Sequence, residues 1–132
     1  MIIVDASVVV SALISFTEPH RRLREELEQQ ELAAPSHLNL EVMSVLRKYS
    51  RRKAVTEERT AMALVDLAQL PVERVPVAAF ETRIWELRHN MTPYDAAYVA
   101  LAERLGADLW TFDRRLAAAP GGECTVRVPD SD

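Results

Sequence analysis

The chain contains a single cysteine, Cys124, among its 132 residues. One thiol excludes an internal disulfide framework and fits the reducing cytoplasm. No window reaches the roughly 18 uninterrupted apolar residues of a membrane-spanning helix. The apolar segment MIIVDASVVV at the start has no preceding basic region and is interrupted by Asp5, so we expect no signal peptide. These absences predict a cytoplasmic protein that does not enter a membrane.

Glycine is also scarce, with 3 residues, and no stretch is repetitive or of low complexity. A chain of 132 residues with 48% hydrophobic residues fits one domain. Such a domain buries roughly two thirds of its unfolded surface. We expect one domain over residues 1–128, followed by a short acidic tail at 129–132.

An excess of positive charge is missing too, because the formal net charge is −4. A protein held to nucleic acid by general phosphate attraction is usually basic. Binding to nucleic acid would therefore need segregated charge, and the run RKYSRRK at 47–53 has no acidic residue. Taken alone, this run is more typical of a solvated helix face.

Short apolar segments alternate with amphipathic ones, which predicts an α/β fold. Strands are predicted at 1–4, 32–34, 72–77, 107–112 and 124–128. Helices are predicted at 7–15, 18–30, 38–53, 56–70, 78–90, 93–105 and 113–119. This order favours a three-layer α/β/α architecture, in which helices cover both faces of a central, mainly parallel sheet of four to five strands.

Two acidic residues follow predicted strands. Asp5 ends the first apolar segment, and Asp113 follows ADLWTF. The carboxyl ends of parallel strands meet at one edge of a sheet, where ligands bind, so we expect the two carboxylates to lie close together. Each also has a simpler explanation, since aspartate commonly caps a helix or starts a turn.

Two further acidic residues lie on predicted helices. Asp95 is the only charged residue between Pro93 and Ala102, on a helix that looks buried nearly all round. A carboxylate in such surroundings needs a partner or a cation. Alternatively, Thr92 and Asp95 form a capping box, and Glu41 is an ordinary acidic residue of a first helical turn.

Together the four acidic residues suggest a metal site. Carboxylates held about 4 Å apart repel by roughly 4 kcal/mol per pair at an effective dielectric constant of about 20. A fold that brings several together must protonate some of them or bind a cation. Ligation by oxygen alone favours Mg²⁺ or Mn²⁺. The three histidines, His20, His37 and His89, lack the spacing of metal ligands, and we interpret them as surface or turn residues.

Three segments carry a resemblance to a known family: IIVDAS at the start, EVMSVLRKY in the middle and TPYDAAYVALAERLGADLWTFDRRL near the end. With these segments in this order, the chain resembles PIN-domain nucleases of the VapC toxin type. The resemblance implies an acidic quartet of Asp5, Glu41, Asp95 and Asp113. Small hydroxyl residues often stand near the metal of this family, where this chain has Ser7 and Thr111; they would orient a carboxylate or hold a metal-bound water.

Two positions depart from the family pattern. Phe112 stands where many relatives have a smaller residue, and it would narrow the mouth of the site. Asn39 places an amide near Glu41, and the sequence offers no physical reason for it.

The quartet suits phosphodiester hydrolysis assisted by one or two Mg²⁺ or Mn²⁺ ions, with 5′-phosphate and 3′-hydroxyl products. The resemblance adds RNA as the substrate, a homodimer and a VapB-type antitoxin, bound in a groove between the helices of residues 7–30 and the helix from 38. Our hypothesis for the RNA contacts is a set of four arginines, which are Arg47, Arg51, Arg114 and Arg115.

Other functions fit the sequence less well. A phosphoryl-accepting receiver domain would need adjacent acidic residues after the first strand and a late lysine, but Ala6 follows Asp5 and no lysine follows Lys53. An aspartate-dependent phosphatase would usually have a second acidic residue where Ser7 stands. A PIN-like binding module without catalysis and a housekeeping RNA-processing nuclease both stay open.

Overall fold

The computed structural model of the chain describes residues 1–14 and 18–129. The strands are β1 (Ile2–Val4), β2 (Leu32–Pro35), β3 (Val72–Val75), β4 (Asp108–Trp110) and β5 (Val126–Arg127). The helices are α1 (Ala6–Ile14), α2 (Glu18–Glu28), α3 (Leu38–Arg51), α4 (Glu57–Gln69), α5 (Glu81–Glu86), α6 (Pro93–Leu105) and α7 (Arg114–Ala118). Most of the acidic tail, residues 130–132, and the last residue of the first predicted helix, residue 15, lie outside the described residues.

The strands form one five-stranded sheet in the order β3-β2-β1-β4-β5, and all four pairings are parallel. The central strand β1 pairs with β2 and β4, with Ile3 opposite Ala33 and Leu109. Both faces of β1 are covered, and Ile3 and Val4 have no exposed surface. This explains why β1 is a continuous apolar run without alternation. The predicted sheet and α/β/α layers are confirmed.

The helices form two groups. On one side α6 packs against β1, β2 and β4, with α5 beside it. In the other group α1 contacts α2, α3 and α4, and α3 contacts α4. No helix of the described residues is long and apolar enough to cross a membrane.

Helix α6 is buried over seven consecutive residues, Ala96–Ala102. Thr92 caps its start, Pro93 occupies the first turn, and Gly106 ends it in the left-handed conformation at φ 61°, all as the sequence predicts. The spacing of Tyr94, Tyr98, Leu101 and Leu105 predicts that all four face the core, and this prediction is wrong for the first and last of them. Tyr94 is 63% exposed and Leu105 is 45% exposed, because the first and last turns of α6 extend past the covered part of the helix.

The helix predicted at 78–90 is shorter than expected. A 3-10 turn at Val77–Phe80 precedes the six-residue α5, because Phe80 leaves the helical conformation at φ −135°. The predicted strand at 72–77 ends at Val75, before Pro76, which has no N–H to donate to a sheet. The spacing of Phe80, Ile84 and Leu87 predicts that these side chains face the core. Phe80 and Leu87 are buried, and Ile84 is half-buried.

Asn39 has a structural partner that the sequence did not indicate. Its Oδ1 accepts hydrogen bonds from Nε and Nη2 of Arg74, at 3.2 and 3.1 Å. The other N–H groups of Arg74 donate to the carbonyls of Leu67, Leu70 and Val72. All five N–H donors of the guanidinium are therefore used. Arg74 ties the end of α4 and the start of β3 to the first turn of α3.

Candidate active site

Asp5 directly follows β1 and is 7% exposed. Its Oδ1 accepts hydrogen bonds from Ser7 Oγ at 2.6 Å and from the Val8 N–H at 3.2 Å, and its Oδ2 accepts one from Thr111 Oγ1. The bond from Val8 caps α1, so the helix-cap interpretation of Asp5 describes real geometry. The bond from Thr111 also ties the carboxylate to the end of β4.

The hydroxyl groups of Ser7 and Thr111 link the end of β1 to the end of β4 through hydrogen bonds. Ser7 Oγ accepts a hydrogen bond from the Phe112 N–H at 2.9 Å, while it donates to Asp5. Thr111 Oγ1 accepts one from the Asp113 N–H at 2.9 Å, and it also donates to Asp5. Each hydroxyl thus holds the Asp5 carboxylate against the backbone that follows β4. Phe112 is half-buried and packs against the core.

Asp113 caps α7, which agrees with the simpler explanation that this aspartate caps a helix. Its Oδ1 accepts hydrogen bonds from the N–H groups of Arg115 and Leu116, at 2.9 and 3.3 Å. The side chain is 35% exposed. Asp113 and Asp95 both line a cleft of about 260 Å³ at the start of α6, together with Thr92 and Arg115.

Glu41 lies in the first turn of α3, and two side chains hold one of its oxygens. Oε1 accepts a hydrogen bond from the Tyr98 hydroxyl at 2.7 Å and lies 3.1 Å from Nε2 of His37. The same nitrogen lies 3.2 Å from the carbonyl oxygen of Tyr94. Both partners of Nε2 are acceptors, so we assign the ring hydrogen to Nε2.

The contacts of His37 and Tyr98 with Glu41 were not predicted from the sequence. His37 is a turn residue, as predicted, but its side chain is only 18% exposed and contacts Glu41. Tyr98 is a core residue, as predicted, but its buried hydroxyl reaches the same carboxylate. Two signals were present: His37 precedes Glu41 by four residues at a helix start, and a buried tyrosine hydroxyl usually has a partner.

The carboxylates influence one another electrostatically. Burial, and then the charges of Asp113 and Glu41, raise the pKa of Asp95. Burial also raises the pKa of Asp5, and this effect outweighs the hydrogen bonds that the carboxylate accepts. Burial acts in the same direction on Glu41, but its bonds from His37 and Tyr98 prevail, and the pKa of Glu41 is lowered. Asp5 directly follows β1 and Asp113 closely follows β4 at the carboxyl edge of the sheet, and Asp95 lines a cleft with Asp113. Glu41 is bound by Tyr98, which lies on the same helix as Asp95.

The donor set fits a hard divalent cation in its chemistry, because all four predicted ligands are carboxylates. The raised pKa values of Asp5 and Asp95 show that burial disfavours their ionised forms, which a bound cation would favour. Over residues 1–14 and 18–129, however, no three acidic, histidine or cysteine side chains already have an arrangement that could hold a metal. Binding would require side-chain rotation that draws the carboxylates together.

Burial and the hydrogen bond to Glu41 raise the pKa of the Tyr98 hydroxyl, and the charges of Asp5 and Asp95 add to the effect. Tyr98 therefore stays protonated and acts as a donor at neutral pH. This matters for Glu41, because a donor that cannot lose its proton keeps one carboxylate oxygen in a defined position.

The predicted RNA-contacting arginines differ in their positions. Arg115 lines the cleft beside Asp113 with a side chain that is 96% exposed, and its neighbour Arg114 is exposed as well. Arg47 and Arg51 are exposed on α3. An arginine at the mouth of an acidic cleft can contact one phosphate of a nucleic-acid chain while the next phosphate lies over the carboxylates.

The position of the α3 arginines around the helix axis can be compared with that of Glu41. Arg47 and Arg51 lie about 120° and 80° around the axis from Glu41, at about 100° per residue. Lys48 and Arg52, which are also exposed, lie within about 20° of it. The basic side chains in line with Glu41 are therefore Lys48 and Arg52, which the sequence interpretation did not select.

Comparison with known proteins agrees with this architecture. The PIN domain family matches residues 2–122. Ribonuclease VapC1 of Mycobacterium tuberculosis is 40% identical over 127 residues, which are 96% of this chain and 96% of that protein. Ribonuclease VapC12 of the same species is 34% identical over 128 residues, which are 97% of this chain and 98% of that protein.

A solved structure shares the fold. The crystal structure of VapBC2 from Rickettsia felis, bound to a DNA fragment from their promoter, contains a chain that superposes with a TM-score of 0.70 at 17% identity. The match covers 98% of this chain and 100% of that one. The family match, the near-complete coverage of the relatives and the acidic edge of the sheet lead to one conclusion: the chain belongs to the PIN-domain family and is of the VapC type.

Proposed function

We propose that the chain is a metal-dependent endoribonuclease and the toxin of a type II toxin–antitoxin pair. One observation carries the proposal: Asp95 and Asp113 line one cleft at the carboxyl edge of the parallel sheet, where the charges of Asp113 and Glu41 raise the pKa of Asp95. A cluster of like charges at a ligand-binding edge is unfavourable without a cation and is typical of a functional site. The names of the relatives, ribonucleases VapC1 and VapC12, support RNA as the substrate.

Asp5, Glu41, Asp95 and Asp113 would hold one or two Mg²⁺ or Mn²⁺ ions. When bound, the metal would lower the pKa of a water and neutralise charge on the scissile phosphate. If water attacks phosphorus and the 3′ oxygen departs, hydrolysis leaves a 5′ phosphate and a 3′ hydroxyl, whereas attack by the 2′ hydroxyl of RNA, with departure of the 5′ oxygen, would leave a cyclic phosphate.

The remaining site residues set the orientation of these carboxylates. Ser7 and Thr111 hold Asp5 by hydrogen bonds to its two oxygens. Tyr98 and His37 share Oε1 of Glu41, which directs its other oxygen away from them. Side chains that are fixed in advance do not have to be ordered at the moment of reaction, which is the usual benefit of such supporting contacts.

The test is cleavage of a mixed cellular RNA pool by the wild type, in Mn²⁺ and in EDTA, and by three variants in Mn²⁺. Asp5→Asn and Asp95→Asn remove predicted ligands. Asp108→Asn is the matched control, because Asp108 is an exposed carboxylate at the opposite end of β4. We expect cleavage by the wild type and by Asp108→Asn in Mn²⁺ only, with 5′ phosphates on the products, and none by the other two variants.

Cleavage that survives EDTA, or that Asp95→Asn retains, would contradict the metal-dependent mechanism. If the wild type cleaves no RNA but binds it, the chain is a binding module. Growth arrest on expression, relieved by a neighbouring gene, would distinguish a toxin from a housekeeping RNA-processing nuclease in the cytoplasm.

The RNA contacts are tested by charge reversal on the two faces of α3. We propose that Arg114 and Arg115 contact the phosphate chain beside the cleft, and that Arg47 and Arg51 contact it further along. The variant with Arg47→Glu and Arg51→Glu should then raise KM for RNA. The same reversal at Lys48 and Arg52 is the comparison, and a larger effect there would move the RNA path to the helix face of Glu41.

We propose a VapB-type antitoxin and a second copy of the chain as protein partners. The described residues form a cleft of about 350 Å³ at the predicted antitoxin groove, lined by Val10 and Ile14 of α1 and Tyr49 of α3, among others. The Rickettsia felis structure, which contains a VapBC pair, supports a partner of this kind. Sedimentation of the purified chain, alone and with the product of the neighbouring gene, tests both partners.

A further inference from the structure

Tyr94 is an exposed aromatic residue at the edge of the carboxylate cluster. It is 63% exposed and lies in the first turn of α6, directly before Asp95. Its neighbours Thr92 and Asp95 line the cleft that Asp113 also lines. The core does not need this ring, since α6 is buried only from Ala96 onward.

The surroundings of Tyr94 keep it in place. Its carbonyl oxygen lies 3.2 Å from Nε2 of His37, and its ring meets the His37 ring edge-on with centroids 5.8 Å apart. His37 in turn meets the ring of Tyr98, which is buried, at 5.2 Å. Thr92 caps the helix and Pro93 stiffens its first turn. The exposed ring of Tyr94 thus contacts the ring of His37, which in turn contacts the buried ring of Tyr98.

The carboxylates next to Tyr94 repel the phosphates of RNA wherever a bound metal does not neutralise them. Stacking does not have this problem, since the face of a nucleobase is uncharged. An aromatic side chain that stacks on an unpaired base contributes about 1–3 kcal/mol. Such contacts require single-stranded RNA, whose bases can turn away from the helix.

We propose that Tyr94, supported by His37, is a stacking platform for an unpaired base of the RNA beside the scissile phosphate. This inference rests on the proposed ribonuclease function and adds a residue that positions the RNA beside the carboxylates. The platform places one base next to Asp95 and thereby aligns the adjoining phosphate with the carboxylates.

Trp85 is the natural comparison. It is exposed to a similar extent, 65%, but the guanidinium of Arg88 already covers its ring at 4.6 Å. It lies on α5, whereas the four carboxylates lie after the ends of β1 and β4 and in the first turns of α3 and α6. Trp85→Leu therefore removes an exposed aromatic of the same class without touching the proposed platform.

The experiment measures kcat and KM in Mn²⁺ for a single-stranded oligoribonucleotide that carries the bond mapped in the RNA pool. Three variants are compared with the wild type: Tyr94→Leu, Tyr94→Phe and Trp85→Leu. We expect Tyr94→Leu to raise KM by about 5- to 150-fold, the range that corresponds to one stacked base. Tyr94→Phe and Trp85→Leu should match the wild type, because phenylalanine still stacks and Trp85 lies elsewhere.

A second substrate separates stacking from a structural effect. It carries one abasic nucleotide, first on the 5′ side and then on the 3′ side of the cleaved bond. When the abasic nucleotide replaces the stacked base, the wild type and Tyr94→Leu should have equal KM values. Equal KM values for Tyr94→Leu and wild type on intact RNA would overturn the platform, as would a defect that persists on both abasic substrates.

These outcomes are distinct from failure of the proposed function. If the wild type cleaves no RNA, the ribonuclease proposal and the platform both fall. If the wild type cleaves RNA and Tyr94→Leu cleaves it equally well, only the platform falls. Melting curves of the variants check that the exposed substitution leaves the fold intact.

Discussion

The Tyr98 hydroxyl offers a sharp test of the site, because Tyr98→Phe removes one oxygen atom and keeps the ring. The hydroxyl donates to Glu41 Oε1 at 2.7 Å, and Tyr98 as a whole is 1% exposed. Phenylalanine fills the same space, so the variant leaves the packing of α6 unchanged. It leaves Glu41 with His37 as its remaining hydrogen-bond donor among the described residues.

The magnitude follows from the charge and exposure of the acceptor. Hydrogen bonds to charged groups contribute about 1.5–3 kcal/mol. The Glu41 side chain is 30% exposed and retains His37, so we expect the lower end, about 1.5 kcal/mol. The entropy of unfolding at the melting temperature is about 0.28 kcal/mol per kelvin for 132 residues. The melting temperature should therefore fall by about 5 °C.

The loss of stability in Tyr98→Phe should depend on pH in one direction. The pKa of Glu41 is lowered in the folded protein from its ordinary value of 4.5. A lowered pKa contributes stability above the unfolded value, and this contribution disappears as the pH falls through the folded value. The difference in stability between wild type and Tyr98→Phe should be full at pH 7 and should shrink below pH 4.5.

Urea denaturation at pH 7 and at acidic pH measures both quantities. Tyr49→Phe is the matched control, because the Tyr49 hydroxyl makes no hydrogen bond within the described part of the chain. A second readout is Mn²⁺ affinity, which should weaken by roughly 10-fold when a ligand loses its supporting contact. A Tyr98→Phe variant as stable as wild type at pH 7, or one whose deficit grows in acid, would refute the reasoning.

Three further predictions concern stability. Without metal, Asp95→Asn should be more stable than wild type at pH 7, because burial and the charges of Asp113 and Glu41 raise the pKa of Asp95 and make its ionised form unfavourable in the folded protein. This gain in stability should vanish below pH 3.8, where the carboxyl group is protonated. Urea denaturation measures it, and the control is Asp66→Asn, an exposed position on α4 that should show no gain. Arg74→Met should cost about 3 kcal/mol in the same assay, since it removes all five part-buried hydrogen bonds of the guanidinium, and Asn39→Ala, which removes two of them, should cost less; equal costs would contradict this account. Gly106→Ala should lower stability by about 1 kcal/mol through backbone conformation alone, because an added Cβ meets nothing within 4 Å, and an unchanged melting temperature would contradict it.

Local signals allowed much of the fold to be predicted. Thr92, Pro93 and Gly106 set the ends of α6, because capping depends on residues within one helical turn. The apolar runs identified β1 and β4, and the rule for parallel strands placed Asp5 and Asp113 at the same edge. The boundaries of short elements were less predictable, as at α5, where Phe80 leaves the helical conformation.

The contacts around the carboxylates could not be predicted in this way. Tyr98 and Glu41 are 57 residues apart, and Arg74 and Asn39 are 35 residues apart. No periodicity relates such positions, because their distance depends on how α6 and α3 cross the sheet. A helical wheel also assigned Tyr94 to the core, since it contains no information about where the covered part of a helix ends.

By itself, the sequence determined which segments form helices and strands, and which acidic residues stand at strand ends and helix starts. These properties depend on side chains within a few residues of one another. Only the tertiary structure decided that Asp95 faces Asp113 and Glu41, that Tyr98 and His37 share one oxygen of Glu41, and that Tyr94 is exposed beside them. The reason is physical: burial and charge interactions depend on distance in space, and packing of the helices on the sheet sets that distance.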